Sequence, residues 1–293
     1  MVTRISKIIA LLEISMINIS NVSFRYFSTQ KAILEDFSLQ IRKGELVGIV
    51  GPTGSGKSTI CYLFNGLIPH AFTGDFKGSI SVAGLNPEKE TVEKMSGYVG
   101  LMLQEPSFQM ASPFVESEIA FGMENFAVPR EEMKRRMDKV TKLLDITHLR
   151  KRATANLSEG EKQRVILASI LAMEPEILVL DECSSMLDLS SKNKLATTLR
   201  ELHEDGLTII LTDHDLDFLY SLVSRVLLVN QGEIIADGSP QELLTDIDLL
   251  KKNGLIPPFL VSLFHELKEQ GLPVTTYPSD YSEAEKILRS WLR

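Results

Sequence analysis

The sequence predicts an α/β protein in which helices cover both faces of a largely parallel sheet. Short apolar segments, typical of buried strands, alternate along the chain with segments whose apolar residues recur at helical spacing. A glycine-rich loop of the form G-x-x-x-x-G-K-S joins one such strand to a helix at residues 51–58. The chain has 293 residues, of which 44% are apolar, so it can bury a sizeable core.

The predicted elements follow in order along the chain. We expect strands at residues 17–26, 32–41, 45–50, 79–83, 98–103, 177–180, 208–212, 226–230 and 233–236. We expect helices at residues 58–67, 115–126, 130–144, 157–173, 240–252 and 258–270, and a loop at 66–78.

These elements suggest a division into domains. Residues 16–238 would form the main domain, with a helical subdomain inserted at about 106–175. Residues 1–15 are predicted to be an N-terminal extension and residues 239–293 a helical C-terminal extension. The last twenty residues have an ambiguous pattern.

The glycine-rich loop is a candidate phosphate site, formed by Gly51, Pro52, Thr53, Gly54, Ser55, Gly56, Lys57, Ser58 and Thr59. Glycines let successive backbone N–H groups turn toward a polyphosphate at the positive end of the following helix. Lys57 would reach the β- and γ-phosphates, and Ser58 would offer its hydroxyl to Mg²⁺. The alternative is a glycine-rich turn with one exposed lysine. Because every position and both flanking elements fit the motif, the sequence predicts that the loop binds a nucleoside triphosphate.

Two acidic residues, Asp181 and Glu182, end another predicted buried strand. Parallel strands bring their carboxyl ends to one edge of a sheet, where α/β proteins bind ligands. Beside a phosphate loop, Asp181 would hold Mg²⁺ and Glu182 would polarise an attacking water. Paired acids at a strand end are more often simply solvated, so the catalytic interpretation depends on the phosphate loop.

A third motif, Leu-Ser-Glu-Gly-Glu-Lys-Gln-Arg at residues 157–164, opens a predicted helix. Its serine and glycine suit an anion site at a helix N-terminus. An ordinary N-cap is the alternative, with Glu161 completing a capping box. The spacing alone favours the N-cap.

Six motifs together make residues 17–238 resemble the nucleotide-binding ATPase subunits of ABC transporters. In the family's order they are Walker A at residues 51–59, the glutamine loop at Gln104, the signature at 157–164, Walker B at 177–182, the D-loop at 185–188 and the switch histidine His214. The resemblance implies a P-loop NTPase core with an antiparallel β subdomain, an inserted α-helical subdomain and a C-terminal helical extension. It also implies ATP and Mg²⁺ as ligands.

The resemblance also implies roles for single residues. Glu182, His214 and Gln104 would be catalytic, with Gln104 and Asp181 beside Mg²⁺. Tyr26 matches the aromatic residue that stacks on adenine. Outside this context Tyr26 would more often be a core aromatic, and His214 a histidine held by hydrogen bonds.

A narrower resemblance is to the ATPases of energy-coupling factor transporters. It rests on Asn-Gly-Leu-Ile-Pro-His at residues 65–70, on residues 103–106 and 121–125, and on Leu-Ile-Pro-Pro at 255–258. It implies ATP hydrolysis coupled to import of a vitamin or a transition-metal ion. The implied partners are a second ATPase subunit, identical or related, a transmembrane coupling subunit that docks on residues 104–118, and a substrate-binding membrane subunit. The chain would then lie on the cytoplasmic face of the membrane.

The signature motif departs from the family pattern Leu-Ser-Gly-Gly-Gln. Ser158 and Gly160 are retained and would contact a nucleotide held by the partner ATPase, but Glu159 and Glu161 introduce two carboxylates. Each carboxylate would repel the γ-phosphate of the partner's nucleotide. Unit charges about 8 Å apart repel by roughly 2 kcal/mol at an effective dielectric constant near 20, and by much less if the side chains swing into solvent. We therefore expect the site that this chain completes to be the weaker one, which favours a non-identical partner.

Composition restricts the other possibilities. The net charge of −8 argues against direct nucleic-acid binding, and the two cysteines, Cys61 and Cys183, lack metal-ligand spacing. The alternatives that remain open are a soluble ABC ATPase acting on ribosomes or nucleic acid, and a regulatory partner that binds ATP without hydrolysing it.

Overall fold

A mixed, mainly parallel sheet is the centre of the molecule. The computed structural model describes residues 15–185 and 187–291, and all statements below refer to these residues. Within this part of the chain the central sheet has the order β5-β6-β7-β3-β8-β9, and only β9 runs antiparallel to its neighbour. Its strands are β3 (Leu46–Val50), β5 (Val99–Met102), β6 (Ile177–Asp181), β7 (Thr208–Thr212), β8 (Arg225–Asn230) and β9 (Glu233–Gly238). The predicted parallel sheet is confirmed.

The start of the described chain forms part of a separate antiparallel sheet. Its order is β2-β1-β4, formed by β1 (Ser15–Tyr26), β2 (Leu34–Arg42) and β4 (Gly74–Val82). The expected loop at 66–78 is partly wrong, because β4 already begins at Gly74. The first six residues of β4 are exposed or only partly buried, so their sequence lacks the apolar alternation that predicts a strand. They form a strand because they pair with β1. The predicted extension at residues 1–15 lies outside the described residues apart from Ser15.

Helices cover both faces of the central sheet. Those before the insertion are α1 (Lys57–Phe64), α2 (Leu67–His70) and α3 (Val92–Ser96). The inserted helical region contains α4 (Val115–Asn125), α5 (Arg130–Leu143) and α6 (Glu159–Ala172), with short 3-10 helices at Pro106–Gln109, Thr147–Leu149 and Thr154–Asn156. The remaining helices are α7 (Leu189–Glu204), α8 (Leu216–Tyr220), α9 (Pro240–Leu243), α10 (Ile247–Lys252), α11 (Phe259–Glu269) and α12 (Tyr281–Trp291).

One helical prediction is wrong, and regions for which no helix was predicted also contain helices. The helix expected at 240–252 is two helices, because Asp246 accepts a hydrogen bond from Leu249 N and starts α10 anew. Helix α7 was not predicted, since its sequence is mostly polar and only four of its residues are buried. The ambiguous last twenty residues contain α12.

The strands divide their side chains between two cores. In β6, Leu178 and Leu180 pack in a core with the inserted helices, while Ile177 and Val179 pack in a second core with α1 and the antiparallel sheet. Helices α11 and α12 share a small cluster centred on Phe264. The domain boundary at 238 remains a prediction. No helix among residues 15–185 and 187–291 is long and apolar enough to cross a membrane.

Candidate active site

The carboxyl ends of neighbouring strands bring the predicted polar residues together. Because β6, β7 and β3 are adjacent, the ends of Walker B, of the histidine strand and of the Walker A strand meet at one edge of the sheet. A cleft of about 320 Å³ opens there. It is lined by Ile33, Thr53, Gly54, Gly56, Lys57, Ser58, Thr59, Gln104, Glu182 and His214.

The phosphate loop follows a path that requires glycine. Gly54 and Gly56 have φ angles of 81° and 106°, which favour glycine. A Cβ at Gly51 would lie 2.0 Å from the carbonyl oxygen of Val229, so no side chain fits there. The loop therefore approaches the adjacent backbone too closely for any other residue at position 51.

Lys57 begins α1 and turns back over the loop. Its Nζ donates hydrogen bonds to the carbonyl oxygens of Gly51 at 2.8 Å and Pro52 at 3.1 Å. Burial lowers the pKa of the Lys57 ammonium, and the nearby carboxylates of Glu182 and Asp181 partly oppose that shift. The ammonium group is thus positioned at the cleft by contacts that a phosphate oxygen can replace.

Glu182 joins Gln104 to His214. Its Oε2 accepts a hydrogen bond from Gln104 Nε2 at 2.6 Å, and its Oε1 lies 2.8 Å from His214 Nε2. Glu182 has a φ angle of 54°, unusual for a residue with a side chain, and its N–H donates to Thr212 O at 2.9 Å. A carboxylate held in this way from both sides can orient a water molecule.

Asp181 offers an oxygen to a cation. The hydroxyl of Thr212 donates to Asp181 Oδ1 at 2.5 Å, whereas Asp181 Oδ2 is buried with no hydrogen-bond donor among the described residues. The Ser58 hydroxyl, the Gln104 amide oxygen and this carboxylate are the hard oxygen ligands that Mg²⁺ prefers. These residues fit Mg²⁺. Sequence reasoning gave Thr212 no role, although it lies two residues before His214, because no local pattern shows that its hydroxyl faces Asp181.

Tyr26 lies outside the residues that line the cleft. Its hydroxyl is 3.0 Å from Thr59 Oγ1, and its ring packs edge-on against Phe24 with centroids 4.8 Å apart. Burial raises the pKa of Tyr26. The structure thus places the Tyr26 hydroxyl beside Thr59 in α1, and the expected stacking of Tyr26 on adenine stays a prediction.

The signature residues are not among those that line the cleft. Ser158 caps α6, and Glu161 completes the capping box by accepting from Ser158 N at 2.8 Å, as the spacing predicted. Neither Ser158 nor Gly160 lines the cleft of this chain.

Both signature carboxylates have cationic partners within this chain. Glu161 Oε1 accepts from Arg152 Nη1 at 2.9 Å, and Glu159 Oε1 accepts from Lys162 Nζ at 2.7 Å. Hydrogen bonds from Lys162 and Ser107 lower the pKa of Glu159, and the Ser158 N–H lowers that of Glu161. A cation thus balances each acid, which reduces the negative charge that either would present to a partner's phosphates. The expected repulsion of that nucleotide, and the preference for a non-identical partner that rests on it, stay predictions.

Comparisons with known proteins agree with this geometry. Residues 34–185 match the family model described as ABC transporter. The energy-coupling factor transporter ATP-binding protein EcfA1 of Lactobacillus acidophilus is 39% identical over 270 residues, covering 92% of this chain and 94% of that protein. A Pyrococcus abyssi protein, provisionally named an ABC transporter ATP-binding protein, is 40% identical over 279 residues, 94% of this chain and all of that protein.

A solved structure shows the same fold. CbiO1 from Clostridium perfringens, described as part of the ABC transporter complex CbiONQ, has a TM-score of 0.72 and 28% identity, covering 86% of this chain and 99% of that one. The family model spans more than half of the chain, and relatives of about 40% identity span nearly all of it. The chain therefore belongs to the ABC transporter ATP-binding proteins and is an ATPase.

Proposed function

We propose that this chain hydrolyses ATP to drive import of a vitamin or a transition-metal ion by an energy-coupling factor type transporter. The contact of Glu182 with both Gln104 and His214, beside the phosphate loop, is the observation that carries the catalytic part. The transport part is supported by the name of the Lactobacillus acidophilus relative.

In the proposed mechanism the chain positions a phosphoryl group and a water molecule. The loop from Gly51 to Thr59 would hold the phosphates, with Lys57 supplying the positive charge. Ser58, Gln104 and Asp181 would hold Mg²⁺, which when bound neutralises charge on the phosphate oxygens. Glu182 would orient the attacking water while His214 and Gln104 hold the carboxylate in place.

A second ATPase subunit, identical or related, is part of the proposal. Ser158 and Gly160 do not line this chain's own cleft, which fits an arrangement in which they would contact a nucleotide held by another chain. The N-terminal turn of α6, with Ser158 as its cap, would then face the γ-phosphate of the partner's ATP.

A groove beside the inserted helices would receive the transmembrane coupling subunit. It has a volume of about 580 Å³ and lies between the central sheet and helices α4 and α6, with Glu93, Phe121, Asn125 and Phe126 along it. Phe108 and Phe114, on the predicted docking segment 104–118, are 82% and 51% exposed. Exposed aromatic residues beside a groove are typical of a protein interface.

The chain would then sit on the cytoplasmic face of the membrane, together with the coupling subunit and a substrate-binding membrane protein. Purification of the tagged chain from gently solubilised membranes tests this arrangement. Two integral membrane proteins should co-purify, and the reconstituted complex should take up a vitamin or metal ion only with hydrolysable ATP. Recovery with ribosomes or nucleic acid instead, or ATP binding without turnover in the complete complex, would refute the proposal.

A further inference from the structure

A contact outside the cleft joins two motifs that are distant in sequence. The hydroxyl of Ser107 donates to Glu159 Oε2 at 2.6 Å, across 52 residues of chain. Ser107 belongs to the 3-10 helix Pro106–Gln109, and Glu159 is the first residue of α6, directly after the cap Ser158. The contact therefore connects the segment that follows Gln104 to the helix end that carries the signature.

The 3-10 helix is itself fixed to strand β5. The side chain of Gln109 accepts from Leu103 N at 2.8 Å and donates to Leu101 O at 3.0 Å. Gln104 follows the end of the same strand and touches Glu182, and only three residues of chain separate it from Ser107.

The other side of the contact is also well defined. Glu159 Oε1 accepts from Lys162 Nζ one turn along α6, so the carboxylate is held from both ends and its second oxygen faces Ser107. A glycine at this position, as in the usual signature, could not make this bond. The carboxylate that departs from the family pattern thus has a definite partner in this chain.

We propose that Glu159 is a positioning residue that makes the segment carrying Gln104 and the first turn of α6 move as one unit. The state of this chain's own ATP site then changes the way the chain presents Ser158 and Gly160 to the partner's nucleotide. The inference rests on the proposed two-subunit arrangement for its consequence, but the link itself exists within one chain.

Hydrogen exchange in the full-length chain tests the link directly, using Ser107→Ala, Glu159→Ala and the double variant. Ser107→Ala should raise amide exchange about threefold to tenfold in residues 158–163, and Glu159→Ala should do the same in residues 105–112. The increase is modest because a charged hydrogen bond near the surface is modest in strength. The double variant should show no further increase beyond the single variants, since both remove the same bond.

Controls and kinetics separate positioning from a general loss of structure. Glu159→Gln keeps an oxygen acceptor for Ser107 and should restore wild-type exchange. Lys134→Ala, on the exposed surface of α5, should change nothing. In the assembled complex, Glu159→Ala should lower kcat about threefold to tenfold with KM within about twofold, because it leaves this chain's own phosphate loop intact.

Unchanged exchange in the unmutated segment, or additive effects in the double variant, would overturn the proposal. A failure of Glu159→Gln to restore exchange would do the same. Exchange needs no turnover, so an intact link in a complex that does not hydrolyse ATP would count against the proposed function and not against this inference.

Discussion

Individual side chains in the cleft are held by hydrogen bonds that contacts with a bound nucleotide can replace. Lys57 donates to two loop carbonyl oxygens, and Glu182 holds one neighbour with each carboxylate oxygen. Asp181 keeps one buried oxygen without a donor among the described residues. The site thus carries a positive charge for phosphate in the cleft and, on the buried residue directly before the cleft residue Glu182, a carboxylate oxygen for a cation.

Lys57→Ala should weaken ATP binding by at least about 100-fold, because a charge-assisted bond to phosphate is lost in a partly buried site. Isothermal titration calorimetry with ATP and Mg²⁺ measures the change, and Lys134→Ala is the matched control, since it removes an exposed lysine from α5. Near-normal affinity in Lys57→Ala, with the fold retained by circular dichroism, would show that the phosphate-loop assignment is wrong.

Most residues of the cleft could be predicted from the sequence, but the residues that hold them in place through hydrogen bonds could not. The glycine-rich loop and the acid pair carry local patterns with a known physical purpose, so Gly51, Lys57 and Glu182 were identified directly. Thr212 and Ser107 were not, because their importance comes from strand order and from contacts across 31 and 52 residues. A single sequence contains no local signal for such contacts.

Between elements, the hydroxyl of Thr212 ties β7 to the end of β6. Thr212 is fully buried and also receives the backbone N–H of Glu182, so one side chain fixes both acidic residues. Helix α7, in contrast, was not predicted although its buried residues and its cap are local features. Its polar sequence hides a narrow buried face that includes Leu195 and Leu199, and Asp188 starts it by capping Ser191 N.

Thr212→Val should lower the free energy of unfolding by about 1–3 kcal/mol, because it replaces a buried hydroxyl by a methyl group and leaves Asp181 Oδ1 without its donor. Urea denaturation measures the loss. Thr212→Ser keeps the hydroxyl and should cost clearly less. If valine and serine are equally stable, the Thr212–Asp181 bond does not contribute as described.

At the scale of the whole molecule, the two cores connect the cleft to the inserted helices through the central sheet. Side chains of β6 reach into both cores, and the helical region shares its core with one face of the sheet. The exposed aromatic residues lie on the segment after Gln104, next to the groove. A subunit docked there would therefore touch the chain a few residues from the cleft.

Charge reversal on this surface should weaken docking without changing ATP affinity. Glu116 is a poor choice, because it is paired with Arg150 at 2.6 Å. Glu105 is exposed and directly follows Gln104, so Glu105→Arg is the better variant. Pull-downs from membranes should recover clearly less of the transmembrane subunit than wild type or Lys134→Ala. Full recovery would place the docking surface elsewhere.

The most direct test of the central claim is the ATPase rate of the assembled complex with Glu182→Gln. The substitution keeps the shape of the side chain but replaces one carboxylate oxygen by an amide that cannot accept from both Gln104 and His214. We expect ATP binding to persist, kcat to fall by at least about 100-fold when both subunits are this chain, and an ATP-bound dimer to accumulate on size-exclusion chromatography. If the partner is a related chain with its own active site, kcat should fall less, and the ATP-bound dimer should still accumulate. Undiminished turnover with no trapped dimer would contradict the account.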